Sequence, residues 1–333
     1  MKLIMHIGMG KTGTSSIQKA LSQGAGQLAA QDAEYLGLWF DMLGPDHAGR
    51  TGLPGVVRAA PDEMRDLATR FLGILRERGH ETYVFSNEAL FGHVGTLGPF
   101  LETLHAAADL EVRYLAYVRR PHDWLPSAFT QWNIRHKQQE GPLQPYGERA
   151  RTLASTYDGL RRWHEKTGDR LTVRAFDKGT DVVADFAGVT GLEVAPLDTR
   201  ALERSEPAET VLRGLFNDRF EPAVLPERFS QTLLKGGKAG QVPSIDRMID
   251  LCFDHETTDE IVQENRAMFE EIETLTGLDL RLDEPTSTPR PDPDAVRRRI
   301  LDYTVEIVMR QAVELKRLQR EVRELRQAGD RKG

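Results

Sequence analysis

One cysteine, Cys252, stands in 333 residues, and a lone thiol cannot close a disulfide within the chain. The fold therefore asks nothing of an oxidising compartment. Long apolar runs are missing too. No stretch approaches the ~18 residues that a membrane-crossing helix needs, so none is predicted. The apolar segment near the N-terminus, LIMHI, runs straight into Gly-Met-Gly-Lys and lacks a small-residue cleavage site. It reads as a buried strand and not as a secretion signal, and the expected location is cytoplasmic. Positive charge is in deficit: 44 Lys and Arg against 51 Asp and Glu leave a net charge of −7. That speaks against nucleic acid as a partner, because non-specific binding there depends on a basic surface that neutralises phosphates. Any anion site has to be local. No cluster of His, Cys, Asp and Glu has metal-ligand spacing, so no metal site is expected.

What is present is an ordinary globular composition, with 39% hydrophobic and 29% charged residues. Four segments have the short, apolar, β-rich look of buried parallel strands: KLIMHIG (2–8), TYVFSNE (82–88), VRYLAYVR (112–119) and LTVRAFD (171–177). Helical spacing of apolar residues fills SSIQKALSQGAGQLAAQ (15–31) and EMRDLATRFLGILRERG (63–79), the latter closed by Arg and Gly. Strands alternating with helices predict an α/β fold with an open parallel sheet flanked by helices. Residues 1–283 read as one domain, of which 200–283 is a mostly helical cap. The segment 284–294, EPTSTPRPDPD, holds four prolines and reads as a linker. Residues 295–333 form a long C-terminal helix. There Leu301, Val308, Leu315 and Val322 recur every seven residues, joined by Leu318 and Leu325. Such a helix either pairs with a copy of itself or folds back on its own domain.

The stretch GMGKTGTSS, 8–16, joins the first strand to a helix. A strand that runs through a glycine-rich turn into a helix gathers backbone N–H groups around one point, where the helix dipole adds positive potential; phosphate or sulfate oxygens are the natural ligands. Gly8, Gly10 and Gly13 let the backbone approach an anion, Lys11 adds a full charge, and Thr12, Thr14 and Ser15 add hydroxyl donors. Gly10-Lys11-Thr12 fits the end of the nucleoside-triphosphate loop G-x-x-x-x-G-K-[ST]. However, Met5 stands where its first glycine belongs, and no strand end offers a clean Asp for magnesium.

A second candidate anion site lies in YVRRPHDWLPSAFTQW, 117–132. Arg119 closes a strand, Pro121 breaks it, and Ser127 is placed on the first turn of the next helix, so that the arginine and serine are able to grip one phosphate from two sides. Taken together, Lys11-Thr12-Gly13-Thr14-Ser15 and Arg119-x-Pro121…Ser127 resemble the K-[ST]-G-T-[ST] and R-x-P-x-x-x-x-x-S motifs of the PAPS-dependent sulfotransferases. The resemblance covers residues 1 to about 195, including Phe186 and the Gly191-Leu192 pair after the fourth strand. It implies a P-loop-like fold, with 3′-phosphoadenosine 5′-phosphosulfate (PAPS) as cosubstrate and PAP as product. The first loop would hold the 5′-phosphosulfate, and Arg119 with Ser127 the 3′-phosphate. LLKGGKAG, 233–240, is similar to the family's nucleotide-closing loop, with Ala239 where the last glycine belongs.

Sulfuryl transfer needs in-line placement and stabilisation of charge on the leaving oxygen, the task assigned to Lys11. It also needs a base for the acceptor. Glu88 ends the second strand, and glycan sulfotransferases often place a catalytic glutamate there; His93, His122 and His136 are the runners-up. Ser86-Asn87-Glu88 equally fits a helix cap. Trp124, Trp132, Arg135, His136 and Lys137 form a basic aromatic cluster suited to sugars or acidic glycans. The expected function is sulfuryl transfer from PAPS to a hydroxyl or amine of a small-molecule or glycan acceptor. The alternatives are an ATP-dependent small-molecule kinase and a non-catalytic coiled-coil interaction protein.

Overall fold

In a computed structural model, the backbone is described for residues 1–177, 179–196, 207–218, 220–225, 244–285 and 289–330, and side chains as far as 322. The fold is α/β, as expected: a five-stranded, all-parallel sheet flanked by helices, with a long C-terminal helix. The chain forms two compact units, and the division cuts across the stretch 1–283. The first takes in Met1–Ser127, Arg151–Glu203 and Thr258–Ser287; the second Ala128–Ala150, Arg204–Thr257 and Thr288–Gly333.

In the first unit the strands are β1 (Lys2–His6), β2 (Ala33–Tyr35), β3 (Thr82–Ser86), β4 (Glu111–Val118) and β5 (Leu171–Ala175), ordered β2-β3-β1-β4-β5. β2 is an addition to the four strands expected. It is three residues long and pairs along β3 from Ala33 opposite Thr82 to Tyr35 opposite Val84. β5 corrects a second expectation, since as an edge strand it is half exposed and not buried.

The central strands bury both faces. Ile4, Val84, Leu115 and Tyr117 point toward α1 (Thr14–Gln23) and α9 (Val182–Thr190), meeting Ile17, Leu21, Val183 and Phe186. On the opposite face Phe85 joins Phe40, Phe71 and Phe100 in ring contacts of 4.8 to 6.5 Å between centroids. The helical pattern of 15–31 breaks at Gly24, giving α1 and the short α2 (Ala25–Ala29). That of 63–79 starts earlier, at Pro61, with acids in its first turn, and stops at the left-handed Gly79.

Sheet order positions the candidate site. From β1 the chain moves to β2 and β3 on one side; from β4 it moves to β5 on the other. The crevice at the carboxyl ends of β1 and β4 is therefore the switch point, where open α/β sheets bind ligands. Register adds a step. His6 pairs with Leu115, so β4 runs on through Ala116, Tyr117 and Val118 beside the loop that leaves β1.

In the second unit, helices Pro207–Asn217 and Ile245–Phe253 pack on the first turns of the C-terminal helix, Pro293–Asp330. The candidate loop 233–240 lies outside the described residues.

Candidate anion site

Between β1 and α1 the backbone turns through two left-handed residues, Lys11 at φ 70° and Gly13 at φ 82°. Thr12 between them is not left-handed, and such alternation points successive N–H groups into one concavity. A non-glycine residue in this region carries a strain that clusters at functional sites. Only glycine suits position 13, because a Cβ there would lie 2.9 Å from both Phe176 and Val182. The helix that follows has no side-chain cap and no acidic residue in its first turn. Thr14 Oγ1 is buried there with no hydrogen-bond partner, while Gly10, Lys11 and Ser15 are half exposed. Thr12 departs from expectation: fully buried, its hydroxyl donates to the Met9 carbonyl at 2.5 Å, so it shapes the loop from within.

Arg119 stands one residue past β4, and α6 (Pro121–Phe129) starts two residues after it. Arg119 and Arg120 are both buried. They have separate work. Arg120 binds Asp123 at 2.7 Å and Glu284 at 2.8 Å; the Arg119 carbonyl accepts the Tyr157 hydroxyl. Ser127 is on the second turn of α6, not the first. It lies three residues beyond Trp124 and hence on the same helix face. Trp124 itself is fully buried, and its indole N–H donates to the Gly10 carbonyl at 2.8 Å. The two loops that sequence reading separates by more than a hundred residues are thus joined directly.

Glu88 opens a 3₁₀ turn just past β3. Asn87 provides the cap, accepting the Ala89 N–H at 2.9 Å, which leaves the Glu88 carboxylate to other partners. Gln18 reaches it: the amide donates to Glu88 Oε2 at 2.9 Å and to the Ser86 carbonyl at 3.2 Å. Gln18 and Thr14 are four residues apart on α1, so Glu88 sits by the helix face that begins at the anion loop. Tyr35, at the end of β2, has a buried hydroxyl without a partner. Burial first and the Glu88 charge second push its pKa up. Behind the loop, His6 is fully buried and its Nδ1 lies 2.8 Å from Ser86 Oγ. Burial lowers its pKa to about 3, so the ring is neutral. Its Nε2 has no partner and would be 3.0 Å from a Cβ on Gly8.

No family model, curated protein or solved structure matches this chain. The chemistry rests on the site alone.

Sequence reasoning missed Gln18, Tyr35 and His6. Of the histidine candidates, His93 is half-buried in the turn that Glu88 opens, with its pKa lowered by burial and then by Arg58. His122 is buried 3.4 Å from Asp259, and His136 Nε2 lies 3.1 Å from the Gln131 amide in the second unit. In the basic aromatic cluster, Trp132, Arg135 and His136 are half-buried, in the second unit. Trp124 is inside the first unit, and Lys137, in the second, is buried with its ammonium on the Phe220 carbonyl. Among the described residues no group of three or more His, Cys, Asp or Glu could hold a metal ion. No helix among them is long and apolar enough to cross a membrane. Clefts of about 580 and 640 Å³ in the first unit are lined by residues of neither anion loop.

Proposed function

We propose that the protein is a sulfotransferase that moves the sulfuryl group of PAPS onto a hydroxyl or amine of an acceptor, with carbohydrate or glycolipid as the leading class. The observation that carries this reading is the pairing of two anion-binding loops at the ends of neighbouring strands, fastened by the Trp124 to Gly10 hydrogen bond. One anion loop is common to many nucleotide enzymes; a buried arginine at an adjacent strand end, with a serine on the helix that follows, calls for a ligand with two separate anionic ends.

The residues fit that ligand. The left-handed loop, the uncapped start of α1, Lys11, Thr14 and Ser15 would hold the 5′-phosphosulfate, with Gly10, Thr12 and Gly13 shaping the cradle. Arg119 and Ser127 would hold the 3′-phosphate. PAPS supplies the activated sulfuryl group. Lys11 offsets the charge left on the nucleotide, a contribution of roughly 10²- to 10³-fold in rate. Glu88, held by the Gln18 amide, accepts the acceptor's proton, worth roughly 10²- to 10⁴-fold.

Thermal shift with PAP, ATP and NAD, each with and without magnesium, tests the assignment, followed by incubation of labelled PAPS with candidate glycans. A sulfotransferase is stabilised by PAP without metal. Stabilisation by ATP only with magnesium would replace it with the kinase reading.

A further inference from the structure

The C-terminal helix spans 38 residues, about 57 Å at 1.5 Å per residue. Its first turns are anchored in the second unit: Val296 and Ile300 are buried, and Arg297 binds Asp246 at 2.7 Å. Past Ile300, Tyr303 and Ile307 are half-buried, and the other large apolar side chains described are bare. Leu301, Val305, Val308, Leu315, Leu318 and Val322 are 45% to 64% exposed, more apolar surface than a monomeric protein normally leaves to water.

Their spacing is ordered. Leu301, Val305, Val308, Ala312 and Leu315 follow steps of four and three; Leu318, Val322 and Leu325 continue with three, four and three. Two successive steps of three at 315–318 are a stammer, which overwinds a coiled coil locally without ending its seam. Thr304 and Gln311, the places a strict seven-residue repeat would use, are passed over for Val305 and Ala312. The seam is thus continuous from 301 to 325.

We propose that a second copy of this chain covers this stripe, forming a parallel two-stranded coiled coil over residues 301–325. Three features select that partner. Counted by those steps, Val305, Ala312 and Val322 fall at a and Leu301, Val308, Leu315 and Leu318 at d; β-branched residues at two of three a positions and leucine at three of four d positions favour two parallel strands. In parallel register the flanking positions place Glu314 against Gln319 of the other copy, and no like charges are opposed between residues 301 and 322. The helix folds back on its own unit only through its first turns, so the stripe beyond them requires another chain.

Sedimentation velocity on the full-length protein at micromolar concentration should give a particle of twice 37.5 kDa. Leu318→Asp, in the seam, should raise the dissociation constant roughly 100-fold or more, because it sets two carboxylates in the interface. Val313→Asp should not: Val313 is 71% exposed but lies off the seam. Both side chains face solvent in a single chain, so neither change unfolds the protein, and circular dichroism checks this. Leu318→Cys should cross-link to its copy on oxidation, since parallel pairing brings the two sulfurs together. Native Cys252 is buried with a raised pKa and should not compete. A monomer, a larger oligomer, or a dimer indifferent to Leu318→Asp overturns the proposal; a dimer without the 318 cross-link overturns its parallel orientation.

Discussion

Helices α1 and α9 pack side by side, and each follows the carboxyl end of a parallel strand, yet they begin in opposite ways. At α9 Asp181 accepts the N–H groups of Val183 and Ala184, both at 3.1 Å, and Asp185 lies in the first turn. The end is closed by its own chain. At α1 the cap is a left-handed glycine without a side chain, no acid follows, and a lysine and two hydroxyl residues stand in place of Asp181. A helix start costs little to cap. A start left open beside a cation is what a site for an external anion would require.

The comparison is sharpest in catalysis. Glu88→Gln should lower transfer from PAPS by roughly 10²- to 10⁴-fold while PAP binding, followed by calorimetry, stays as it was; full activity in that variant would remove Glu88 as the base. Lys11→Ala and Arg119→Ala should both weaken PAP binding, and Lys11→Ala should slow transfer by roughly 10²- to 10³-fold.

Giving α1 the chemistry of α9 is a more direct break. Ser15→Asp puts a carboxylate in the first turn, a change worth about 0.3–1 kcal/mol in favour of the helix. Stability should hold or rise while PAP no longer binds. If PAP bound Ser15→Asp as well as the native protein, the start of α1 would not be an anion site.

Beneath the loop, His6 predicts a pH dependence. Its folded pKa of about 3 lies below the ordinary 6.5, so the unfolded chain binds the extra proton first. Stability is complete above pH 6.5 and falls as pH drops toward 3, by on the order of 3 kcal/mol between pH 7 and pH 4. Urea midpoints at the two values should converge in His6→Asn. The smallest effect belongs to the closed helix. Asp181→Ala should cost about 1 kcal/mol, seen as a drop in Tm of roughly 2–4 °C, with PAP binding untouched.

The central strands were legible because apolar β-rich runs of five or more residues announce themselves. Ala33-Glu34-Tyr35 makes no such run, and only pairing with β3 turns it into a strand. β5 reads as buried because its composition is apolar, whereas its place at the edge is a property of the sheet order. The glycine-rich turn between β1 and α1 was legible as a strand–turn–helix junction, since its glycines lie within one short segment. Gln18 and His6 were not: their hydrogen-bond partners Glu88 and Ser86 are 70 and 80 residues away. Thr12 shows the opposite failure. A hydroxyl in a phosphate-binding pattern reads as a ligand donor, while the tight turn directs it into the loop.

The indole of Trp124 has a consequence for how a two-ended ligand is received. It fastens the first loop to the helix that carries Ser127, so on the proposed reading the two grips would be splinted into one jaw before a nucleotide arrives. Whichever end docked first would then leave little ordering to be done when the other end landed. Trp124→Phe removes the indole N–H, and it should penalise nucleotides phosphorylated at both ends more than those phosphorylated at one.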